Sequence, residues 1–287
     1  PTLFIPWPKF MNPFKGTLFA LLDAQNAVEV HMEHSIEDRL DDYPLVVIPN
    51  WKHLEKPFKK KLLAYVENGG KLLLIGPKAA KLFKKQLDLP VKGKPEVRSF
   101  WLEDDGWLAG MKTSLQGLEK TDPDKVLATL YDGNDTDANQ RVGATVVKHG
   151  QGAIGAVLFD FGDYYFKYKN VHAKNWLGKI VRALFPEPMV RVEGCKHVDV
   201  NVNVKDERIL VNLVNTGGPH ADPNTHVFDE IPPTIPLTLH IRLPKKPQKM
   251  TLRPSGQNLK FSFAKDVANV TIPSVHLHSV DVIEQQS

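Results

Sequence analysis

The sequence predicts an α/β fold built on a parallel sheet and followed by a small antiparallel β-sandwich, and three features carry that prediction. Two short, unbroken apolar runs, Leu45-Val46-Val47-Ile48 and Leu72-Leu73-Leu74-Ile75, flank an amphipathic segment. Strands covered on both faces lose the apolar/polar alternation, so this pattern reads as a β-α-β unit. Helical periodicity then recurs through Trp176, Leu177, Ile180, Val181 and Leu184 and stops at Phe185-Pro186-Glu187-Pro188, a short stiff linker. Beyond it, His197-Val198-Asp199-Val200-Asn201-Val202-Asn203-Val204 alternates with period two, the mark of a half-buried strand. The predicted division is an α/β domain over 1–188 and a β-sandwich over 189–287.

Taken in order, Thr2 to Ile5 reads as a first strand, followed by a loop rich in Pro and aromatics that includes Pro6, Trp7, Pro8, Phe10, Pro13 and Phe14. Leu18, Leu21 and Leu22 place an apolar stripe on a helix, and Val28 to Val30 is a second strand. Asp41 to Pro44 turns into the strand Leu45–Ile48. Pro57 suits the first turn of the next helix, which Asn68-Gly69-Gly70 stops before the strand Leu72–Ile75. Strands and helices alternating in this way imply right-handed crossovers and a flavodoxin-like sheet. From Pro90 to Asp124 the chain reads as loop, with Trp101, Trp107 and several Gly and Asp. Thr145 to His149 and Ala153 to Phe159, joined by Gly150-Gln151-Gly152, read as a hairpin forming an antiparallel edge. After the linker, Arg208 to Val214, Leu237 to Leu243, Asn269 to Ile272 and Val275 to Ile283 read as sandwich strands, with a long loop over 216–236.

The composition excludes several classes. With 287 residues, 42% hydrophobic and 24% charged, the chain is long enough for two domains with cores of their own and is of neither disordered nor membrane type. Its apolar runs are strand-sized, and no charged leader with an apolar core opens it. It begins at Pro1, as expected of a mature form or a piece of something longer. The single cysteine, Cys195, permits neither an intrachain disulfide nor a cysteine metal cage. The net charge of +4 comes with lysines clustered over 52–61 and 78–85 on helical segments, where a solvated outer face accounts for them better than a nucleic-acid surface.

Motifs with chemical potential are few, and the sequence offers no cofactor-binding or metal site that its context supports. A nucleophile elbow needs Ser or Cys on a sharp strand-to-helix turn, and Gly76-Pro77-Lys78-Ala79-Ala80 has neither. Gly150-Gln151-Gly152-Ala153-Ile154-Gly155 matches a dinucleotide pattern but precedes a strand where a helix is required. Asp132 to Asp137 resembles the start of a calcium loop, yet Gly143 stands where the twelfth-position glutamate belongs. His240, His276 and His278 make a conceivable zinc trio only if their strands are neighbours. Phe159-Asp160-Phe161-Gly162-Asp163-Tyr164-Tyr165 follows a strand end, where α/β sites gather. Its carboxylates and aromatic rings suit sugar hydroxyls and ring faces, so Asp160, Asp163, Tyr164 and Tyr165 join Trp7, Trp101 and Trp107 as carbohydrate-contact candidates, with a structural strand-to-helix turn as the plainer reading.

Tyr43-Pro44-Leu45-Val46-Val47-Ile48-Pro49 and Leu63 to Leu74 together resemble the class I glutamine-amidotransferase-like fold, in the version seen as the trimerisation domain of multidomain glycoside-hydrolase beta-galactosidases. Phe159 to Tyr165, Leu184 to Pro188, Arg208 to Asn215, Ile241 to Pro244 and His276 to Ile283 look like the tail of those enzymes, where a small β-sandwich follows. The resemblance implies no catalytic residue in this chain: the family's sugar-cleaving carboxylates belong to a (β/α)₈ barrel of about 250 residues that would precede it. It implies a non-catalytic accessory or oligomerisation region whose partners are that barrel, further copies of the chain and carbohydrate, with no nucleic acid or membrane partner and with a periplasmic or secreted location. The alternatives are a free-standing carbohydrate-binding protein and a small hydrolase using Asp160, Asp163 and a histidine.

Overall fold

The computed structural model describes residues 1–4, 11–119, 121–217 and 230–285. Backbone contacts divide the chain into two units, one of Pro1–Leu21 with Val28–Pro186, the other of Leu22–Ala27 with Glu187–Ser287.

Largely in the first unit, β1 (Thr2–Phe4), α1 (Asn12–Asp23), β2 (Glu29–His31), α2 (Glu33–Ile36), β3 (Leu45–Ile48), α3 (Lys56–Glu67) and β4 (Lys71–Ile75) alternate as the apolar runs predict, except that the short α2 has no counterpart in the sequence reading. Two short helices follow, α4 (Pro77–Leu82) and α5 (Lys84–Leu87). Every residue of β3 is inaccessible to solvent, as are Leu72–Ile75 of β4, because helices cover both faces. Phe58, Leu62, Tyr65 and Val66 form the inward stripe of α3. The buried Tyr65 hydroxyl donates to the Tyr43 carbonyl at 2.7 Å and accepts from the Lys71 amide at 3.1 Å, tying α3 to the strand it precedes. The helix lysines also have intramolecular work: Lys61 pairs with Glu37 and Asp38, and Lys59 lies over the Phe83 ring.

The stretch read as loop is instead sheet. β5 (Val91–Asp104) and β6 (Trp107–Leu118) form a long antiparallel hairpin. β7 (Val126–Tyr131), β8 (Gln140–His149) and β9 (Gly152–Val157) continue the chain, which ends this unit with α6 (Phe161–Tyr168) and α7 (Val171–Leu184). Pro13 and Phe14, read as part of a loop, lie inside α1. One mixed sheet results, in the order β2-β1-β3-β4-β9-β8-β7-β5-β6. Its first five strands are parallel and the rest antiparallel. The expected β8–β9 hairpin is present, but it is interior rather than an edge, since β9 pairs with β4 on its other side. The far end of the sheet curls back. Leu115 of β6 bridges Phe159, Gln116 N donates to the Leu158 carbonyl at 2.8 Å and Asp160 N to the Ser114 carbonyl at 2.9 Å. Strands β9, β8, β7, β5 and β6 therefore close into a small barrel around Phe100, Leu102 and Phe159.

The second unit contains two antiparallel sheets. β10 (Val190–Glu193), β13 (Leu237–Arg242), β16 (Phe261–Ala264) and β17 (Val267–Ile272) form one, in the order β10-β13-β17-β16. β11 (Val198–Lys205), β12 (Arg208–Asn215), β14 (Pro247–Arg253), β15 (Gln257–Asn258) and β18 (His278–Gln285) form the other, in the order β11-β12-β18-β14-β15. Alternate residues such as Val200, Val211, Leu239, Val270 and Ile283 join in one core. The last strand begins at His278 rather than Val275. Among the described residues no helix is long and apolar enough to cross a membrane.

Within that core, Asp281 of β18 is fully buried, and neither of its carboxylate oxygens has a hydrogen-bond partner. Burial pushes its pKa from 3.8 up to about 7. The folded state therefore holds a proton that the unfolded chain releases. Stability contributed by this group is greatest below about pH 4, falls as the pH rises and levels off above about pH 7. Replacing Asp281 by Asn removes the titration. In urea unfolding, the loss of stability between about pH 4 and 8 is expected to be smaller in D281N by a few kcal/mol, roughly the 1.4 kcal/mol per unit that a shift of this size implies. An unchanged pH profile would show that this carboxyl is not desolvated.

Candidate functional site

The C-terminal ends of the parallel strands, where chemistry in such sheets usually gathers, are closed by their own side chains. Gly76 leaves β4 with φ +111°, which a side chain rarely adopts, and a Cβ there would sit 2.5 Å from Asn50. Asn50, just after β3, is buried, and its Oδ1 accepts from the Lys78 amide at 2.9 Å. The turn thus has a sharp strand-to-helix geometry, but the Lys78 amide already has Asn50 as its acceptor. The Lys78 side chain points to solvent.

Asp160 follows β9 on the other side of Asn50 and is hydrogen-bonded to it. Burial raises its pKa, against the lowering effect of its bond to the Asp163 amide. Its carboxylate caps α6 by accepting from Asp163 N at 3.4 Å. Asp163 pairs with Lys167 at 2.6 Å, one helical turn on. Gly162 permits α1 and α6 to touch: a Cβ on it would lie 2.1 Å from the Pro13 carbonyl oxygen, and one on Gly16 would lie 1.8 Å from the Gly162 carbonyl oxygen. The segment Phe159 to Tyr165 is thus a strand-to-helix turn whose polar residues serve the fold.

The aromatic candidates separate. Tyr165 is buried and stacks on Phe161, with centroids 5.8 Å apart. Tyr164 is buried, its hydroxyl 3.4 Å from the Gly110 carbonyl, so neither ring offers a free face. Trp101 and Trp107 share the β5–β6 hairpin but sit on opposite faces, because Trp101 pairs with Gly110 and Trp107 with Asp104, three residues further along β5. Trp101 is partly covered, lying across Gly110. Trp7 lies outside the described residues. Among the described aromatic candidates, Trp107 alone is widely exposed, at 68%.

Trp107 is also the outer member of a network that the sequence did not suggest. Its ring stacks on His172, with centroids 6.2 Å apart and planes inclined by 28°. His172 Nδ1 lies 3.1 Å from Oδ2 of Asp104, which is buried at the end of β5. Asn175 Nδ2 donates to the same oxygen at 2.9 Å, and Lys179 Nζ lies 3.0 Å from Oδ1 and 2.9 Å from Asp105. Burial opposes ionisation of Asp104, but the bonds from Asn175, Lys179 and His172 outweigh it and hold the carboxyl below its ordinary range. An ionised Asp104 only accepts, so the proton between it and His172 belongs to Nδ1. His172, Asn175 and Lys179 fall at i, i+3 and i+7 on α7, a spacing visible in the sequence; their partner lies about seventy residues earlier and is not. Beside them a cavity of about 340 Å³ is lined by Glu103, Leu127, Thr129, Trp176, Lys179 and Ile180.

The remaining sequence candidates are dispersed. Asp132 binds Arg98 at 3.1 Å and Arg141 at 2.7 Å, so the first carboxylate of the calcium-like loop is spent on guanidinium groups, and Arg141 foremost lowers its pKa. Gly150 and Gln151 make the β8–β9 turn, and Gly152 opens β9. His240 lies in β13 of the four-stranded sheet and His278 in β18 of the five-stranded one, so the two are not on adjacent strands, and His276 precedes β18. Among the described residues no group of three His, Cys, Asp or Glu side chains is placed to hold a metal. Cys195 is buried in the second unit.

A scan against family models and a search of the curated proteins found no match. Solved structures do match. α-L-Fucosidase isoenzyme 2 from Paenibacillus thiaminolyticus covers the whole chain with a TM-score of 0.80 at 15% identity, using 48% of its own length. A β-galactosidase from Bacillus circulans sp. alkalophilus covers 98% with a TM-score of 0.60 at 12% identity, using 41%. The GH42 β-galactosidase Gan42B from G. stearothermophilus, as its E323A mutant, covers 99% with a TM-score of 0.60 at 11% identity, using 40%. At these identities the likeness is one of fold. The chain spans less than half the length of each enzyme.

The cap at Asp160 is open to measurement. Asp160→Ala is expected to lower unfolding stability by about 0.5–2 kcal/mol, the usual cost of a lost N-cap, and D160N to recover most of it. Equal losses in the two variants would mean that charge, rather than capping, gives Asp160 its place.

Proposed function

We propose that this chain is a non-catalytic accessory region of a glycoside-hydrolase-like protein. In this reading residues 1–188 form a flavodoxin-like, class I glutamine-amidotransferase-like domain and residues 189–287 a small β-sandwich. The region packs against a catalytic barrel and helps assemble the oligomer. Three observations support it. The parallel strands run in the order 2-1-3-4-5 typical of flavodoxin-like sheets. The fold is shared from end to end with segments that make up less than half of an α-L-fucosidase and of β-galactosidases. The observation that carries the reading is the strand-to-helix turn at Gly76: it has the sharp geometry of an elbow, carries no nucleophile, and has its free amide plugged by Asn50.

The hydrolase alternative asks Asp160 and Asp163 to act as acid and base. Both are already engaged, one as a helix cap and one in an ion pair. A carbohydrate-binding role draws on a different feature, the exposed indole of Trp107.

The test is direct. Incubated with aryl α-L-fucosides and aryl β-D-galactosides, the isolated chain is expected to release no aryl alcohol above the uncatalysed rate. Turnover that disappears in D160N or D163N would overturn the accessory reading and favour the hydrolase.

A further inference from the structure

We propose that the hairpin tip around Trp107 is a carbohydrate-binding platform whose ligand is a pyranose ring. The site is assembled from Trp107, His172 and the buried Asp104 that orients the imidazole. The inference rests on the accessory reading for its ligand class and on the geometry of these residues for its place.

The indole has one face against His172 and the other in water. A single exposed aromatic is ordinary on a protein surface, so exposure alone does not mark a site. Here the ring is also held still. His172 is fixed by Asp104, which is fixed in turn by Asn175 and Lys179, so the face is set before any ligand arrives. Flat C–H faces of a pyranose stack on such a ring, and its equatorial hydroxyls reach groups at the rim. Two residues before the indole, the exposed Asp105 carboxylate accepts, and the ammonium of its partner Lys179 donates.

The same surroundings argue against a protein partner. The core of a stable interface is depleted of charge, whereas the hairpin tip that carries this indole also carries Asp105, 82% exposed and paired with Lys179. A single ring among charged groups suits a small polyhydroxylated ligand better than a second apolar surface.

The full chain, labelled with ¹⁵N, would be titrated with methyl β-D-galactopyranoside, with methyl α-L-fucopyranoside and, as a control without a ring face, with mannitol. Five tryptophans give the indole region, and the signal lost in Trp107→Ala assigns the platform. Saturable movement of that signal by at least one pyranoside and not by mannitol is expected, with a dissociation constant on the order of 1 mM. Trp107→Ala should weaken binding at least about tenfold, and His172→Phe, which keeps the stacked ring but loses the bond to Asp104, by a smaller factor. Trp107 is exposed, so the variant should keep the wild-type far-ultraviolet circular dichroism. Binding that survives Trp107→Ala, no saturable binding of either pyranoside, or an indole signal that moves only with protein concentration would each overturn the platform. None of these outcomes touches the accessory reading, which fails only if the chain turns over aryl glycosides.

Discussion

Backbone hydrogen bonding at residues 158–160 is the constraint on which the rest of the first unit depends. Leaving β9, this stretch has strand β8 on one side, where Leu158 N donates to the Gly143 carbonyl. On the other side it receives Gln116 N and donates to the Ser114 carbonyl. Both sides being used, the antiparallel strands cannot lie flat and must roll into a barrel. The same stretch delivers Asp160 to Asn50 and to the start of α6. The place where the parallel strands end is thus filled by groups needed to hold sheet, barrel and helix together. That is the physical reason the usual site of α/β chemistry is occupied here.

The polar residues near strand ends divide by what they can still do. Asn50 and Asp160 have their hydrogen-bonding capacity directed inward and Asp163 is spent on Lys167 along the surface of α6, so changing them is a matter of stability. Asp104 is buried more completely than these, yet directs its capacity along a chain that ends in an exposed ring, through His172 to Trp107. A buried carboxylate with three partners costs much to desolvate and returns little net stability. What it does supply is a fixed orientation for the imidazole.

Much of the parallel core was legible because its signals are local. Unbroken runs such as Leu45–Ile48 mark strands covered on both sides, and Pro57 and Gly69 mark the ends of α3. The β5–β6 hairpin was not legible for equally definite reasons. Lys92 to Val97 are exposed, so half of β5 has no inward face to alternate with, and Gly93, Gly106, Gly110 and Gly117 read as loop punctuation. The alternation that does exist, Phe100, Leu102, Asp104, ends in a carboxylate where an apolar residue would be expected. Of the seven carbohydrate-contact candidates, sequence could not separate Trp107 from Tyr164 and Tyr165, because all three are aromatics beside acidic residues. Only tertiary packing decides which ring is left in water.

The position of the barrel strands within the chain has a consequence for the order in which the fold forms. Lys71 of β4 pairs with Ala153 of β9, so the two central parallel strands meet only after roughly eighty intervening residues have found their places. The β5–β6 and β8–β9 hairpins are local and need no such wait. The centre of the sheet, which is inaccessible to solvent in the finished unit, therefore carries one of its long loop closures. Loop-closure entropy is better met once the excursion has already collapsed into a compact barrel whose two ends lie close together.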